Sequence, residues 1–253
     1  MKVALISKKD TSLFIIMLIW LIVIIFVVTC TITTSVSVSE RKLPVYSVER
    51  DDNALSLTFN CAWDDSFIDE VLGILKKHDI KCTFFFVGEF AGKYPEAVRK
   101  IYNAGHEIGN HSMYHNDPVK QEYGELLSDI NACNELLYSI TGNTVKLYRA
   151  PSGSYDNKTI EAAESLGMTA VQWDCDSIDW KKSSPEKIKE RVMRKASEGS
   201  IILFHLGLEN TADALEDIIV QLKKQQFTFV TVSQLLITDQ SYMDNNGRQH
   251  KKQ

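Results

Sequence analysis

The sequence predicts an α/β protein in which about seven strand–helix units build a parallel sheet, preceded by one long apolar segment. Two observations support this prediction. Between residues 54 and 232, β-rich runs alternate with segments whose apolar residues recur at helical spacing, which is the pattern of parallel strands joined by crossover helices. Between residues 13 and 32 the chain is almost uninterrupted Leu, Ile, Val, Phe and Met and carries no charge. The periodicity leaves open whether the sheet closes into a barrel or stays open and doubly wound.

The apolar segment at 13–32 is predicted to be a transmembrane anchor, because about twenty residues rising ~1.5 Å each span a hydrocarbon core of ~30 Å. A cleaved signal peptide is the alternative. Such peptides have apolar cores of roughly 7–15 residues and end at a small-residue cleavage site, whereas Thr-Ser-Val-Ser-Val-Ser follows here. A buried core helix is the third alternative, but an uncharged segment of this length would need a large protein around it.

Positive charge is distributed unevenly around this anchor. Lys2, Lys8 and Lys9 precede it, and the next basic residue is Arg41. The positive-inside rule therefore predicts a single-pass protein of the cell membrane, with a short cytoplasmic N-terminus at 1–12 and the folded domain on the outer side.

The folded domain is predicted to span residues 48–238. It follows a short stalk at 33–47, rich in Ser, Thr and Val, and precedes a polar tail at 239–253 that is expected to be disordered. The predicted strands cover residues 54–59, 80–87, 107–109, 146–149, 168–173, 200–205 and 227–232. The predicted helices cover residues 68–77, 95–104, 121–140, 156–167, a segment opened by Ser184-Pro185, and 211–224.

Composition narrows the class of partner. The formal net charge is −5, so the chain lacks the basic surface that binds polyanions, and nucleic acid is not an expected partner.

The chain has five cysteines, an odd number, and no two of them have the CxxC spacing. A disulfide framework is therefore not expected, and Cys82 and Cys133 are interpreted as small core residues.

The sequence His111-Ser-Met-Tyr-His115 directly follows a predicted strand. Residues four apart lie on one face of a helical turn, so both imidazoles can meet one ion. A solvated surface pair is the alternative, because six histidines yield such a spacing by chance in some chains. The position at a strand end favours metal binding, since the other polar clusters also lie at strand ends.

The first strand ends in Thr-Phe-Asn60-Cys-Ala-Trp-Asp64-Asp65. Adjacent carboxylates repel one another unless a cation or an arginine lies nearby. Either Asp64 or Asp65 can instead cap the helix that begins near Ser66, and the two residues can divide the roles. One carboxylate with two histidines is the facial-triad pattern, which leaves positions open for water and substrate.

Three later strand ends carry further polar residues. Arg149 ends a buried strand and needs a polar or anionic partner, either in a site or in a structural ion pair. The segment Asp174–Trp180 contains three acids beside two tryptophans, which indicates either a polar site with an apolar wall or a loop with ordinary caps. His205 ends an apolar strand. It is either a satisfied core histidine or a general acid that one of those acids orients.

In order along the chain, these five segments resemble the five motifs of the NodB-homology polysaccharide deacetylases, carbohydrate esterase family 4. HxxxH at 111–115 and DSxDW at 176–180 are the most specific of them. The resemblance covers about residues 48–238 and is closest to the sporulation-associated peptidoglycan deacetylase branch, whose first motif is stretched around a tryptophan. It implies a distorted (β/α) barrel and a hydrolase that removes N-acetyl groups from a cell-wall polysaccharide.

The resemblance also implies roles for individual residues. A divalent metal, usually Zn²⁺, would be bound by His111 and His115 together with Asp65. Metal-bound water would attack the acetamide carbonyl. Arg149 would orient the catalytic base, and Asp179 would tune the general acid His205. Trp180 and Leu203 would line the pocket for the acetyl methyl. A backbone N–H near Ser152 would hold the oxyanion.

One departure from the family pattern bears on activity. Asn60 stands where the family has its general base, an aspartate, and an amide does not accept a proton at neutral pH. General-base catalysis contributes roughly 10²–10⁴-fold, so two expectations remain. Either Asp64 substitutes as the base, or the protein is a weak or inactive metal- and glycan-binding pseudoenzyme. Ala150 and Ser152 also stand where the family often has proline and an aromatic residue, which puts the substrate contacts there in doubt.

Overall fold

The computed structural model describes residues 8–33 and 40–252. They form two units, and the first contains a single helix, α1 (Lys8–Thr33). Its segment Thr11–Val28 has a mean hydropathy of 3.1 and none of it is buried. By length and composition α1 can cross a membrane, although a signal sequence near an N-terminus has the same properties. Parts of the predicted cytoplasmic segment and stalk, residues 1–7 and 34–39, lie outside the described residues.

The second unit, residues 41–253, contains the rest of the described structure. Its strands are β1 (Ser47–Val48), β2 (Ala54–Cys61), β3 (Thr83–Phe86), β4 (Glu107–Asn110), β5 (Leu147–Tyr148), β6 (Thr169–Ala170), β7 (Cys175–Asp176), β8 (Ile201–His205), β9 (Thr228–Phe229), β10 (Ser241–Met243) and β11 (Arg248–Lys251). Its α-helices are α2 (Ile68–Lys77), α3 (Gly88–Lys93), α4 (Pro95–Asn103), α5 (Tyr123–Thr141), α6 (Asn157–Ser165), α7 (Pro185–Lys195), α8 (Glu209–Lys224) and α9 (Val232–Leu235).

Seven of these strands form one curled parallel sheet in the order β6-β5-β4-β3-β2-β8-β7. The edge strands β6 and β7 are not neighbours in this order, so the sheet is a half-barrel. The predicted fold class, a distorted (β/α) barrel with helices between the strands, is confirmed in this form.

The central strand β2 shows how the sheet positions a site. Successive side chains of a strand point to opposite faces. Leu55, Leu57 and Phe59 lie in the main hydrophobic core that the helices share, where Phe59 stacks on the rings of Phe84 and Phe204. After Ala54, the alternate residues of β2 are polar, and the last of them, Asn60, is buried at the carboxyl end of the strand.

The chain before β2 lies against the open edge of the half-barrel. The Val45 N–H donates to the carbonyl O of Ala170, and the Val48 N–H donates to the carbonyl O of Gly199. Gly199 has a φ of 75°, and a Cβ there would lie 1.6 Å from the Val48 carbonyl oxygen. The predicted stalk therefore ends earlier than residue 47, since Val45 and Val48 are buried in the domain.

The prediction of a disordered tail after residue 238 is wrong for residues 241–251. Strands β10 and β11 form an antiparallel hairpin, and β11 pairs in parallel with β1. The turn between them contains Asn246-Gly247, with Gly247 at a φ of 77°, and Asn-Gly is a strong hairpin signal. The prediction of disorder rested on the polar composition of the tail and did not take this turn signal into account.

Three elements differ from the sequence prediction. Helix α3 begins at Gly88, directly after the short strand β3, where the sequence predicted a strand through residue 87. Strand β7 was not predicted as a separate element. The last predicted strand divides into β9 and α9, because Thr231 and Gln234 form a capping box that starts a helix.

Candidate active site

The polar strand ends meet at the carboxyl edge of the sheet, where they surround a pocket of about 530 Å³. Parallel strands bring such ends together at one edge. The pocket is lined by Asn60, Ala62, Trp63, Val87, Glu89, His111, His115, Ser152, Trp173, Asp176, Trp180, Leu203 and His205.

His111 follows β4 directly and is 1% exposed. Its Nδ1 lies 2.7 Å from the carbonyl oxygen of Arg149, and its Nε2 lies 3.1 Å from Nδ2 of Asn60. A carbonyl oxygen only accepts, so Nδ1 carries the proton and Nε2 accepts from the Asn60 amide. Burial lowers the pKa of His111 well below its ordinary value, so the ring is neutral at pH 7.

The His115 ring lies 4.9 Å from the His111 ring, centroid to centroid, at an interplanar angle of 81°. The expected helical turn between them is absent from this described segment, because β4 ends at Asn110 and the backbone of Ser112 and His115 is left-handed, with φ of 69° and 55°. The two imidazoles come together through an irregular segment instead. Burial also lowers the pKa of His115, and neutral imidazoles are the form that binds metal ions.

Asn60 joins the pocket to the buried Arg149. Nη1 of Arg149 donates to Oδ1 of Asn60 and to Oγ1 of Thr58, each at 3.0 Å, and Nη2 donates to the carbonyl O of Gln172 at 3.0 Å. The guanidinium also lies 4.0 Å from the centroid of the Phe85 ring, a cation–π contact. Arg149 is therefore fixed by neutral acceptors beneath the pocket, and one of them is the residue at the position of the family's base.

His205 is held by Asp179, which is 1% exposed. Oδ1 of Asp179 lies 2.8 Å from Nδ1 of His205, and Oδ2 accepts from the His205 backbone N–H at 2.7 Å. Thr211 Oγ1 and the Trp180 N–H donate to the same carboxylate at 2.8 Å each. These bonds fix the imidazole so that its Nε2 edge remains for the pocket, which is the arrangement that a general acid needs.

Aromatic side chains form part of the pocket wall. Trp63 is 48% exposed and its ring lies 5.1 Å from the His205 ring. Trp180 is also exposed, whereas Leu203 lies buried at the pocket floor. Ser152 lines the pocket from a turn in which it has a φ of 55°. The residues predicted to contact an acetyl group thus line one cavity.

Neither predicted first-motif carboxylate lies among the residues that line the pocket. Asp64 Oδ1 accepts from the Ser66 N–H at 2.9 Å, and the Asp64 carboxylate lies against Gly207, where an added Cβ would be 3.0 Å from Oδ1. Asp65 lines a separate surface depression beside Asp69. The predicted approach of Asp65 to the two histidines is therefore absent from the described structure. The capping role expected as the alternative is absent there too, because α2 begins at Ile68 after Phe67 and no side chain caps it, so the bond from Ser66 to Asp64 belongs to the preceding turn.

The donor set fits a divalent cation only in part. Two neutral imidazoles, His111 and His115, suit two positions of a zinc coordination shell, but Nε2 of His111 would bind an ion only in exchange for its hydrogen bond from the Asn60 amide. Catalytic zinc sites use three protein ligands. Across residues 8–33 and 40–252, however, no group of three His, Cys, Asp or Glu side chains is placed to hold a metal ion. The acidic position, expected at Asp65, is not supplied.

Six pocket residues were not predicted as site residues: Ala62, Trp63, Val87, Glu89, Trp173 and Asp176. Asp176 lies in the acidic segment that the sequence did single out, and Trp173 directly precedes it. Glu89 follows β3 and stands alone among apolar residues and glycine at 87–91, so no polar cluster marks it. Its position just beyond β3 is the signal in the sequence, since every parallel strand ends at the same edge.

Comparisons with known proteins agree with this geometry. Residues 47–171 match the family described as "Polysaccharide deacetylase". The chain is 31% identical over 204 residues to the peptidoglycan-N-acetylmuramic acid deacetylase PdaA of Bacillus subtilis, which covers 79% of this chain and 78% of PdaA. It is 36% identical over 188 residues to a peptidoglycan-N-acetylglucosamine deacetylase of Bacillus cereus, which covers 73% of this chain and 68% of that protein. It spans 60% of the length of YlxY of Bacillus subtilis, an uncharacterized protein to which it is 34% identical.

Solved structures share the fold. A carbohydrate esterase family 4 pseudoenzyme from Bacillus anthracis superposes with a TM-score of 0.75 at 30% identity, over 83% of this chain and 72% of that one. A mutant of that pseudoenzyme with restored enzymatic activity has the same TM-score at 32% identity, over 77% of this chain and 71% of that one. With its motifs at the carboxyl ends of a half-barrel and relatives above 30% identity, this chain belongs to the polysaccharide deacetylase family, the NodB-homology hydrolases of carbohydrate esterase family 4.

Proposed function

We propose that this protein is a membrane-anchored, metal-dependent deacetylase that removes N-acetyl groups from a cell-wall glycan of the peptidoglycan type. One observation supports the proposal most directly. His205, oriented by Asp179, lines the same pocket as His111 and His115. A proton donor and a pair of neutral imidazoles around one cavity suit hydrolysis of an amide. Relatives whose names specify peptidoglycan deacetylation support the choice of substrate.

In this proposal the chain's own residues bind the acetamide and supply a proton. Trp180 and Leu203 contact the acetyl methyl, and a backbone N–H near Ser152 holds the carbonyl oxygen as negative charge develops. His205 donates a proton from Nε2 to the departing amine, because Asp179 engages its Nδ1. Exposed Trp63, beside His205, contacts the sugar ring.

The proposal includes a divalent cation, with Zn²⁺ as the first candidate, at His111 and His115. Bound there, it would supply Lewis-acid polarisation of the acetamide carbonyl. Two imidazoles alone make a weak site, and a catalytic zinc site needs a third protein ligand. Asp64 or Asp65 supplies that ligand when the turn that carries them approaches the histidines.

The proposed location is the cell membrane, with α1 as an uncleaved anchor, the N-terminus in the cytoplasm and the domain on the outer side. The apolar length of Thr11–Val28 and the lysines that precede it support this orientation. Protease treatment of intact cells should then degrade the domain, which should otherwise remain in the membrane fraction after an alkaline wash.

The decisive experiment measures acetate release by the detergent-solubilised full chain from N-acetylated chito-oligomers and from muropeptides. Release should require an added divalent metal and should be abolished by His111→Ala. The matched control is His78→Ala, since His78 pairs with Glu216 outside the pocket and its loss should leave the rate unchanged. No metal-dependent release over both substrate classes would refute hydrolysis.

A second function is favoured by Asn60. This side chain accepts from Arg149 and donates to His111, so a neutral amide occupies the position of the family's base, and the solved pseudoenzyme from Bacillus anthracis shares the fold. In this second proposal the protein binds metal and glycan without turnover. Asn60→Asp should then raise acetate release by roughly 10²–10⁴-fold. An unchanged rate in an active protein would instead identify another residue, with Asp64 first, as the base.

A further inference from the structure

The segment from His111 to His115 has a backbone conformation that side chains disfavour. Ser112 and His115 both have positive φ, 69° and 55°, where a Cβ approaches the following carbonyl oxygen. Such conformations persist only where surrounding contacts over-determine them. Hydrogen bonds from neighbouring groups must therefore hold the segment that carries both imidazoles.

Two of these bonds arise within the segment and the strand before it. Asn110 Oδ1 accepts from the Ser112 N–H at 2.7 Å, and Ser112 Oγ accepts from the His115 N–H at 2.8 Å. A third bond comes from a different element. Asp129, on helix α5, accepts from the Met113 N–H through Oδ2 at 2.9 Å.

Helix α5 is itself fixed against the sheet. Asn110 Nδ2 donates to the carbonyl O of Ile130 and to Oδ1 of Asn134, both at 2.8 Å. Asp129 is 6% exposed, so water competes little for its contact with Met113. The carboxylate thus connects a rigid helix to the middle of the strained segment.

We propose that Asp129 is a positioning residue, which acts through the Met113 amide to hold His111 and His115 in the conformation that places both imidazoles at the pocket. Asp129 makes no contact with the reacting atoms. This inference deepens the proposed function, in which the histidine pair holds the cation. It rests on that function for its consequence, and the geometry stands without it. A merely structural role of Asp129 would lower the stability of the domain without a specific change in this segment.

The test compares Asp129→Ala and Asp129→Asn by amide hydrogen exchange of the full chain in detergent. In Asp129→Ala the Met113 and His115 amides should exchange roughly 5- to 100-fold faster, because a buried donor loses its acceptor. In Asp129→Asn most of the protection should return, since the side-chain amide oxygen can accept the same bond. The matched control is Asp174→Ala, because the half-buried Asp174 carboxylate also accepts from a backbone amide, that of Ile201, away from this segment.

Two outcomes would overturn the inference: equal exchange at residues 111–115 in the Asp129→Ala and Asp174→Ala variants, or no recovery in Asp129→Asn. A second measurement titrates Zn²⁺ alone into the metal-free chain, where Asp129→Ala should weaken binding at least about tenfold. If the unaltered chain binds no Zn²⁺, the cation of the proposed function fails, and the exchange data still decide the role of Asp129.

Discussion

Arg149 donates a 3.0 Å hydrogen bond from Nη1 to Oδ1 of Asn60, so a buried cation is paired with a neutral amide at the base of the pocket. Its other bonds also go to uncharged acceptors, the Thr58 hydroxyl and the Gln172 carbonyl. Burial alone lowers the pKa of Arg149 to about 9. A buried charge without an opposite charge keeps most of its desolvation cost.

Asn60→Asp should therefore stabilise the fold at pH 7, because the pairing of a carboxylate with a guanidinium that is already buried outweighs the loss of the bond that the Asn60 amide donates to His111 Nε2. We expect the free energy of unfolding to rise by about 1–3 kcal/mol, measured by urea denaturation of the detergent-solubilised chain. Asn60→Ala is the control and should lower stability, since it leaves one Arg149 donor and His111 Nε2 without their contact. A midpoint for Asn60→Asp below that of the unaltered chain would contradict this account of Arg149.

The sequence predicted the parts of this site that depend on strand order. Parallel strands share one carboxyl edge, so Asn60, His111, Ser152 and His205 could be placed together from their positions after predicted strands. The pairing of His205 with an acid from the segment at 174–179, which precedes it in the chain, was also foreseeable. In each case the residue lies at or just beyond the carboxyl end of a strand, and the sheet determines its location.

The parts that failed depend on loop geometry. Asp64 and Asp65 lie beyond the end of β2, and nothing in the sequence fixes how that turn bends, so Asp65 was expected at the histidines and lies in another depression. The hairpin at 241–251 was missed although Asn246-Gly247 is a local turn signal, because its strands are polar and β11 pairs with β1, a contact distant in sequence. The local pattern thus marks the turn of the hairpin, but neither its pairing with β1 nor the bend after β2.

Trp180→Ala and Trp63→Ala should each weaken binding of a neutral chito-oligomer about tenfold, because each removes an exposed aromatic face from the pocket wall. Isothermal titration measures the affinity of the chito-oligomer directly, so the test does not depend on whether the protein hydrolyses it. Tyr242→Ala is the control, since Tyr242 is a similarly exposed aromatic residue on the C-terminal hairpin. Equal affinities in all three variants would show that the sugar does not contact these tryptophans.

His106 should make the fold sensitive to acid. Its Nδ1 accepts from the Cys82 N–H at 3.2 Å, and burial lowers the pKa of His106 from 6.5 to about 4. At pH values between about 4 and 6.5, the unfolded chain therefore binds a proton at His106 that the folded chain does not bind. The free energy of unfolding consequently falls as the pH drops from 6.5 toward 4.

The comparison of unaltered chain with His106→Asn isolates this effect, because the asparagine side-chain oxygen can accept from Cys82 but does not titrate. The unaltered chain should lose about 2 kcal/mol more than the variant between pH 7 and pH 4.5, measured by urea unfolding at each pH. Parallel losses in the two proteins would rule out His106 as the source.

Gly199 should not tolerate any side chain, because its Cβ would lie 1.6 Å from the carbonyl oxygen of Val48. The clash is with backbone, and a φ of 75° is itself unfavourable for alanine. Gly199→Ala must therefore displace the segment that closes the edge of the half-barrel. We expect it to destabilise the fold by about 3 kcal/mol or more, measured as a lower midpoint of urea unfolding.

Gly73→Ala provides the opposite control. Gly73 lies inside helix α2, and a Cβ there meets no atom within 4 Å. Alanine is the better helix former by about 1 kcal/mol, so this variant should unfold at a higher urea concentration than the unaltered chain. If both variants shifted the midpoint in the same direction, the close approach of Val48 to Gly199 would not be what holds residues 45–48 against the sheet.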